Sequence, residues 1–198
     1  ALKMIIESCT ATEAVIQRAL SHESAALGSL AVTRGDETFA ELVEERVKDP
    51  IRDVRAQLLE RDTVGLETLA QLAWDVDLRV AKDAIQRLKG IHEPRANLEI
   101  GRMILDELPA RREMAWNEAY DSDDVAPVVL DGFRSKVAAV RERAVRAFAC
   151  VRTEATLVAL VEAFRDSDAG VRQAAKEVVA WERSADDGLT ALLADATT

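Results

Sequence analysis

The sequence predicts an all-α chain, a superhelical solenoid of about six stacked antiparallel helix pairs forming one domain over residues 1–198. Three observations predict it. Apolar residues recur at the i, i+3, i+4, i+7 spacing of a single helix face. Only eight glycines and four prolines punctuate the 198 residues, fewer than an all-β chain of this length needs for its turns. A shift of 31 residues lays one helix pair onto the next, and such self-similarity is the mark of repeat architectures.

The register is anchored in the last third of the chain. Under the 31-residue shift Phe133 falls on Phe164, Leu130 on Val161 and Arg134 on Arg165. The match continues without a gap to Val140-Arg141 on Val171-Arg172 and Ala144 on Ala175. Within the last full unit, Leu157, Leu160, Val161 and Phe164 form the apolar face of a first helix. Val171, Ala174, Ala175, Val178 and Val179 form that of a second. Asp166 or Asp168 between them is placed to accept from the free N–H groups that open the second helix, where the helix dipole favours negative charge. A hairpin of this kind cannot bury both sides of its apolar surface alone, so neighbours must stack on it.

One further shift places Leu160-Val161 on Ala191-Leu192, so Ala185 to Ala194 reads as the first helix of an incomplete further unit. Towards the N-terminus a short polar residue followed five positions later by a small or branched apolar one recurs at Ser21/Ala26, Asp49/Val54 and Asp75/Val80. Ser135/Val140 and Asp166/Val171 continue the series. Asp106 stands at the right distance between them, but Arg111 occupies the apolar position, which predicts a damaged rung there. The repeats are clear over 124–182 and divergent over 1–35 and 91–123.

Specific turn sequences carry a family resemblance. Asp166-Ser-Asp168-Ala-Gly-Val171-Arg172-Gln-Ala174-Ala175, Ser135-Lys-Val-Ala-Ala-Val140-Arg141 and Asp49-Pro-Ile-Arg-Asp-Val54-Arg55 resemble the turn and second helix of short bacterial HEAT repeats. In Asp75-Val-Asp77-Leu-Arg79-Val80 the Val-Arg pair is reversed. Arg61 to Leu88 is also similar to the shorter leucine-rich repeat variant, another helical solenoid. The resemblance implies a HEAT- or armadillo-like fold in which Arg55, Arg141 and Arg172 bridge to the inter-helix Asp of an adjacent repeat. It also implies that the second helices line a concave binding face. The candidate partner-binding residues there are Lys82, Gln86, Glu142, Arg143, Arg146, Gln173 and Lys176.

Composition narrows the partner. A formal charge of −10 argues against nucleic acid, whose binding calls for a basic footprint. No apolar run reaches the roughly eighteen residues of a membrane span, and the cluster at Ala1 to Ile6 is too short for a signal-peptide core. Cys9 and Cys150 stand far apart with no second Cys or His at ligand spacing, which fits buried thiols in a reducing, cytoplasmic setting. One local feature runs against the acidic total: Arg134, Lys136, Arg141, Arg143, Arg146 and Arg152 face a single Glu142. Such a basic stripe suits an acidic partner segment.

No catalytic centre, metal site or cofactor is expected. The Asp-x-Asp pairs at Asp75/Asp77, Asp121/Asp123 and Asp166/Asp168 have a hard-metal reading, but they sit where helices need caps. His22 and His92 read as turn residues, and no nucleophile elbow, phosphate loop or dinucleotide fingerprint is present. Two enzyme-linked readings stand beside the scaffold. One is an accessory subunit like those of bilin lyases, which share short HEAT repeats. The other is a HEAT-like alkylpurine DNA glycosylase, for which Trp116 with Asp121 or Asp123 would supply the aromatic and the acid. Trp116 otherwise aligns with Ala147 and Val178 as a core residue of a second helix, and Trp74 and Trp181 close helices. The sequence leaves the oligomeric state open, and the expected role is a non-enzymatic scaffold or adaptor for a protein or peptide partner.

Overall fold

A computed structural model describes residues 12–22, 24–34, 43–119 and 123–183. Among these the chain is all-helical, with eleven α-helices, two 3-10 turns and no strand. It divides into two compact units, residues 1–90 and 91–198. The first holds α1 (Glu13–Leu20), α2 (Ala25–Arg34), a 3-10 turn (Glu45–Lys48), α3 (Arg52–Leu58), α4 (Leu66–Ala73) and α5 (Leu78–Ile91), whose last residue passes the boundary. The second holds α6 (Pro94–Ile104), α7 (Pro109–Glu118), a 3-10 turn (Asp123–Val125), α8 (Ala126–Phe133), α9 (Ala138–Ala147), α10 (Glu154–Ala163) and α11 (Ala169–Arg183).

Core burial follows the apolar periodicity. In α11 the face Val171, Ala174, Ala175, Val178 and Val179 is buried, and it meets Val145 and Phe148 from the α9 segment and Leu160 and Ala163 from α10. Phe133, Leu157, Val161 and Phe164 pack partly buried against the same cluster. In the first unit Leu69, Leu72, Val80, Ala84, Ile85 and Leu88 are buried along α4 and α5. Small residues let helices approach closely. A Cβ added at Gly28 would lie 2.8 Å from Val54 Cγ2, and one at Gly132 would lie 2.9 Å from Ala144 Cβ.

The turns show the repeat more sharply than the core does. At five of them one polar side chain accepts from the N–H two residues on, an Asx- or Ser-turn that pre-forms the entry to the next helix. The pairs are Asp49 to Ile51, Asp75 to Asp77, Asp106 to Leu108, Ser135 to Val137 and Asp166 to Asp168, all at 2.7–3.2 Å. Asp77 and Asp168 then accept from the opening N–H groups of α5 and α11. Helix capping therefore accounts for both Asp-x-Asp pairs. Asp121 lies outside the described residues.

Six positions after each of four turn residues stands an arginine whose Nη1 donates back to the turn residue's carbonyl. These are Arg55 to Asp49, Arg112 to Asp106, Arg141 to Ser135 and Arg172 to Asp166, at 2.7–2.9 Å. Two of them also reach the next turn's carboxylate in a two-pronged ion pair. Arg55 holds Asp75 at 2.6 and 2.9 Å, and Arg141 holds Asp166 at 2.8 Å through both nitrogens. The resemblance implied this role for Arg55 and Arg141. It also implied it for Arg172, whose onward turn falls outside the described residues.

Two readings of the register need correction. The rung at Asp106 is not damaged, because Arg112 holds the recurring arginine position. Arg111 is buried at the apolar position and forms an ion pair with Asp106. Near the N-terminus the turn acceptor is His22 rather than Ser21, since His22 Nδ1 accepts from the Ser24 N–H at 3.1 Å. Ser21 bonds back to the Gln17 carbonyl, and Ala26 is exposed. The rung Ser21/Ala26 is thus one residue out of step. The segment Ala185 to Ala194, with Cys9, lies outside the described residues.

Arginines also close helix C-termini, where free carbonyls and the dipole favour a cation. Arg61 donates to the Val32 carbonyl at 2.7 Å, and Arg87 donates to the carbonyls of Leu59 and Arg61.

Candidate functional site

The corrected turns fix which residues of successive second helices are equivalent. Since Asp106, Ser135 and Asp166 open their turns alike, Asn117 on α7, Arg146 on α9 and Glu177 on α11 occupy the same position. Trp116 therefore matches Val145, not Ala147 as the unbroken 31-residue shift has it. All three equivalent residues line one groove of about 490 Å³ in the second unit, together with Trp116, Cys150, Val178 and Trp181.

The charges in this groove are matched within the chain. Arg146 Nη1 donates to Glu177 Oε2 at 2.9 Å, and its Nη2 donates to Glu142 Oε1 at 3.1 Å. Gln173 Nε2 donates to the other Glu177 oxygen at 3.0 Å. Burial alone would lower the affinity of the Arg146 guanidinium for its proton, but the bonds to Glu177 and Glu142 outweigh it and hold the pKa above its ordinary value. The Gln173 amide, then Arg146, hold the Glu177 carboxyl below the usual range.

The walls are mainly apolar and aromatic. Trp181 is 53% exposed, a large apolar side chain left on the surface of α11. Trp116 is half-buried, with its Nε1–H out of water and without a hydrogen-bond partner among the described residues. Cys150 is buried, donates its S–H to the Ala147 carbonyl at 3.2 Å, and is pushed up to about 11 by burial. Its thiol therefore stays protonated near neutral pH, as an inert filler rather than a nucleophile.

Four sequence-predicted residues come together here or beside it. Glu142, Arg146 and Gln173 join one hydrogen-bonded network through Glu177, and Lys176 stands exposed next to Glu177 on α11. Arg143 lies outside the network, half-buried, with Nε shielded from water and no hydrogen bond to it among the described residues. Lys82 and Gln86 are exposed one turn apart on α5 of the first unit. Within the basic stripe Arg141 is bonded to Asp166 and Arg146 to two glutamates, while Arg134 stands exposed, 3.9 Å from Asp131. The sequence reading missed Glu177 and Trp181 as groove residues. A signal for the first was present, since Arg146 and Glu177 are opposite charges exactly one 31-residue repeat apart.

No family model matches the chain, and no curated protein does. Among solved structures, the X-ray structure of YibA from E. coli is 17% identical to it, over 87% of this chain and 72% of that one, with a TM-score of 0.37. A likeness at that level leaves fold and function to be argued from this chain's own residues. Among the described residues no group of three His, Cys, Asp or Glu is placed to hold a metal ion, and no helix is long and apolar enough to cross a membrane.

Proposed function

We propose that the chain is a HEAT-like scaffold of about six helix-pair repeats whose second helices bind a protein partner. The recurrence of the same turn chemistry at Asp49, Asp75, Asp106, Ser135 and Asp166, in both compact units, supports a single repeat family. The observation that carries the binding role is the groove between Trp116 and Trp181.

Its chemistry selects the partner. Aromatic anchors in a cleft supply large contact area at low entropic cost and are over-represented where proteins bind tightly. The charges beside them are already paired, so they position rather than attract. The groove accordingly suits a segment that inserts an apolar or aromatic side chain between the indoles and meets the Arg146–Glu177 pair with neutral polar groups. The sequence pointed to an acidic partner; the internal pairing of Arg146 removes that pull from this groove.

The test is comparative capture from native lysate with the parent chain, Trp181→Ala and Val76→Ser, a change at an exposed residue that lines neither cleft. Species lost with Trp181→Ala but kept with Val76→Ser, at unchanged helicity, would support the reading. Capture indifferent to Trp181→Ala would remove it.

A further inference from the structure

A second surface lies on the first helices, apart from the tryptophan groove. Between α8 and α10 runs a cleft of about 700 Å³ whose apolar lining includes Leu130, Phe133 and Val158. Val158 is 55% exposed and borders the apolar part of this lining.

Along the α10 wall, Glu154, Val158 and Glu162 recur every fourth residue and so share one face. The two carboxylates stand roughly 12 Å apart along the helix at about 1.5 Å per residue. Both are exposed, and neither takes part in an ion pair among the described residues. Glu154 in the first turn is explained by the helix dipole. Glu162 is not: it sits next to the last residue of α10, at the end where a carboxylate is disfavoured. Of the other charged groups at the cleft, Arg141 is bonded to Asp166, and Arg134 stands exposed 3.9 Å from the exposed Asp131. Three carboxylates against two guanidinium groups leave the lining negative, with Glu154 and Glu162 on either side of an apolar strip.

We infer that this cleft docks a basic amphipathic segment of a partner protein, with two Lys or Arg side chains seven or eight residues apart flanking an apolar one. The apolar residue covers Val158 and Phe133, and the basic pair meets Glu154 and Glu162. An amphipathic helix presents side chains at that spacing on one face, and the chain's charge of −10 favours the approach of a cationic segment.

The experiment is selection of 16-residue random peptides displayed on phage against the full chain, in parallel with a Glu154→Lys/Glu162→Lys variant. Both substitutions are on exposed positions, and circular dichroism checks that helicity is kept. Peptides with the basic–apolar–basic spacing should be enriched on the parent and depleted at least tenfold on the variant. Resynthesised winners should weaken as salt rises and bind Trp181→Ala as well as the parent. Enrichment of acidic or charge-indifferent peptides would overturn the proposal, as would equal enrichment on the variant or none at all. Winners that depend on Trp181 would instead belong to the tryptophan groove and count against this cleft.

Discussion

At the scale of single residues the chain relies on arginine–aspartate geometry. The Arg141 bond holds the Asp166 carboxyl at about 2, with burial opposing and the Asp168 N–H assisting. In an unfolded chain an aspartate titrates near 3.9. The folded value is depressed, so the stability it contributes is present in full above about pH 4 and is lost as pH falls towards 2. Asp166→Asn should therefore be less stable than the parent near neutral pH, with a gap that closes between about pH 4 and pH 2 in urea titrations. A gap constant across that window would contradict the pairing. This pair was legible in the sequence, because the turn motif resembled one in which such a bridge forms. Arg111 was not. A cation at an apolar register position looks like damage until its ion pair with Asp106, and the recurring arginine bond made by Arg112 beside it, are seen.

At the scale of elements, the five turns share one acceptor but not one cap. Asp77 and Asp168 add a second carboxylate that accepts from the helix-opening N–H groups. Val137 and Leu108 stand at the matching place in their turns, exposed, with no side-chain cap for α9 or α7. Val137→Asp should supply what Asp168 supplies, stabilising the protein by about 1 kcal/mol, and chemical denaturation would measure it. Unchanged or reduced stability would mean that the Ser135 and Asp166 turns are not equivalent. Periodicity located these helices and their buried faces well wherever apolar residues were dense, as in α10 and α11. It slipped by one residue at His22, where an imidazole replaces the usual carboxylate or hydroxyl as turn acceptor. It misplaced Trp116, because the step from Asp106 to Ser135 is shorter than the one from Ser135 to Asp166 and a fixed shift carries the error along the helix.

At the scale of the whole molecule, the proposed stack has an energetic signature distinct from that of a globular core. Each pair buries its apolar face only against its neighbours, so a defect should be felt locally and fade with distance along the chain. Val171 is the place to create one. It is 1% exposed in the cluster with Val145, Phe148 and Leu160, and Val171→Asp would leave a charge there without a partner. The cost should be on the order of several kcal/mol, enough to open α9, α10 and α11 in most molecules. Hydrogen exchange followed by fragment analysis resolves where protection is lost. The nearest-neighbour arrangement predicts strong loss over residues 138–183 and near-parental protection at Leu69, Leu72 and Ile85 in the first unit. Equal loss at both ends would mean a single cooperative core, against the stack, and undiminished protection at Leu160 would contradict the register that puts Val171 in the core. The outcome also bears on binding, because the groove between Trp116 and Trp181 is built from α7, α9 and α11. A partner that bridges those helices would restore protection to the weakened end, which ties the groove's occupancy to the stability of the repeats that form it.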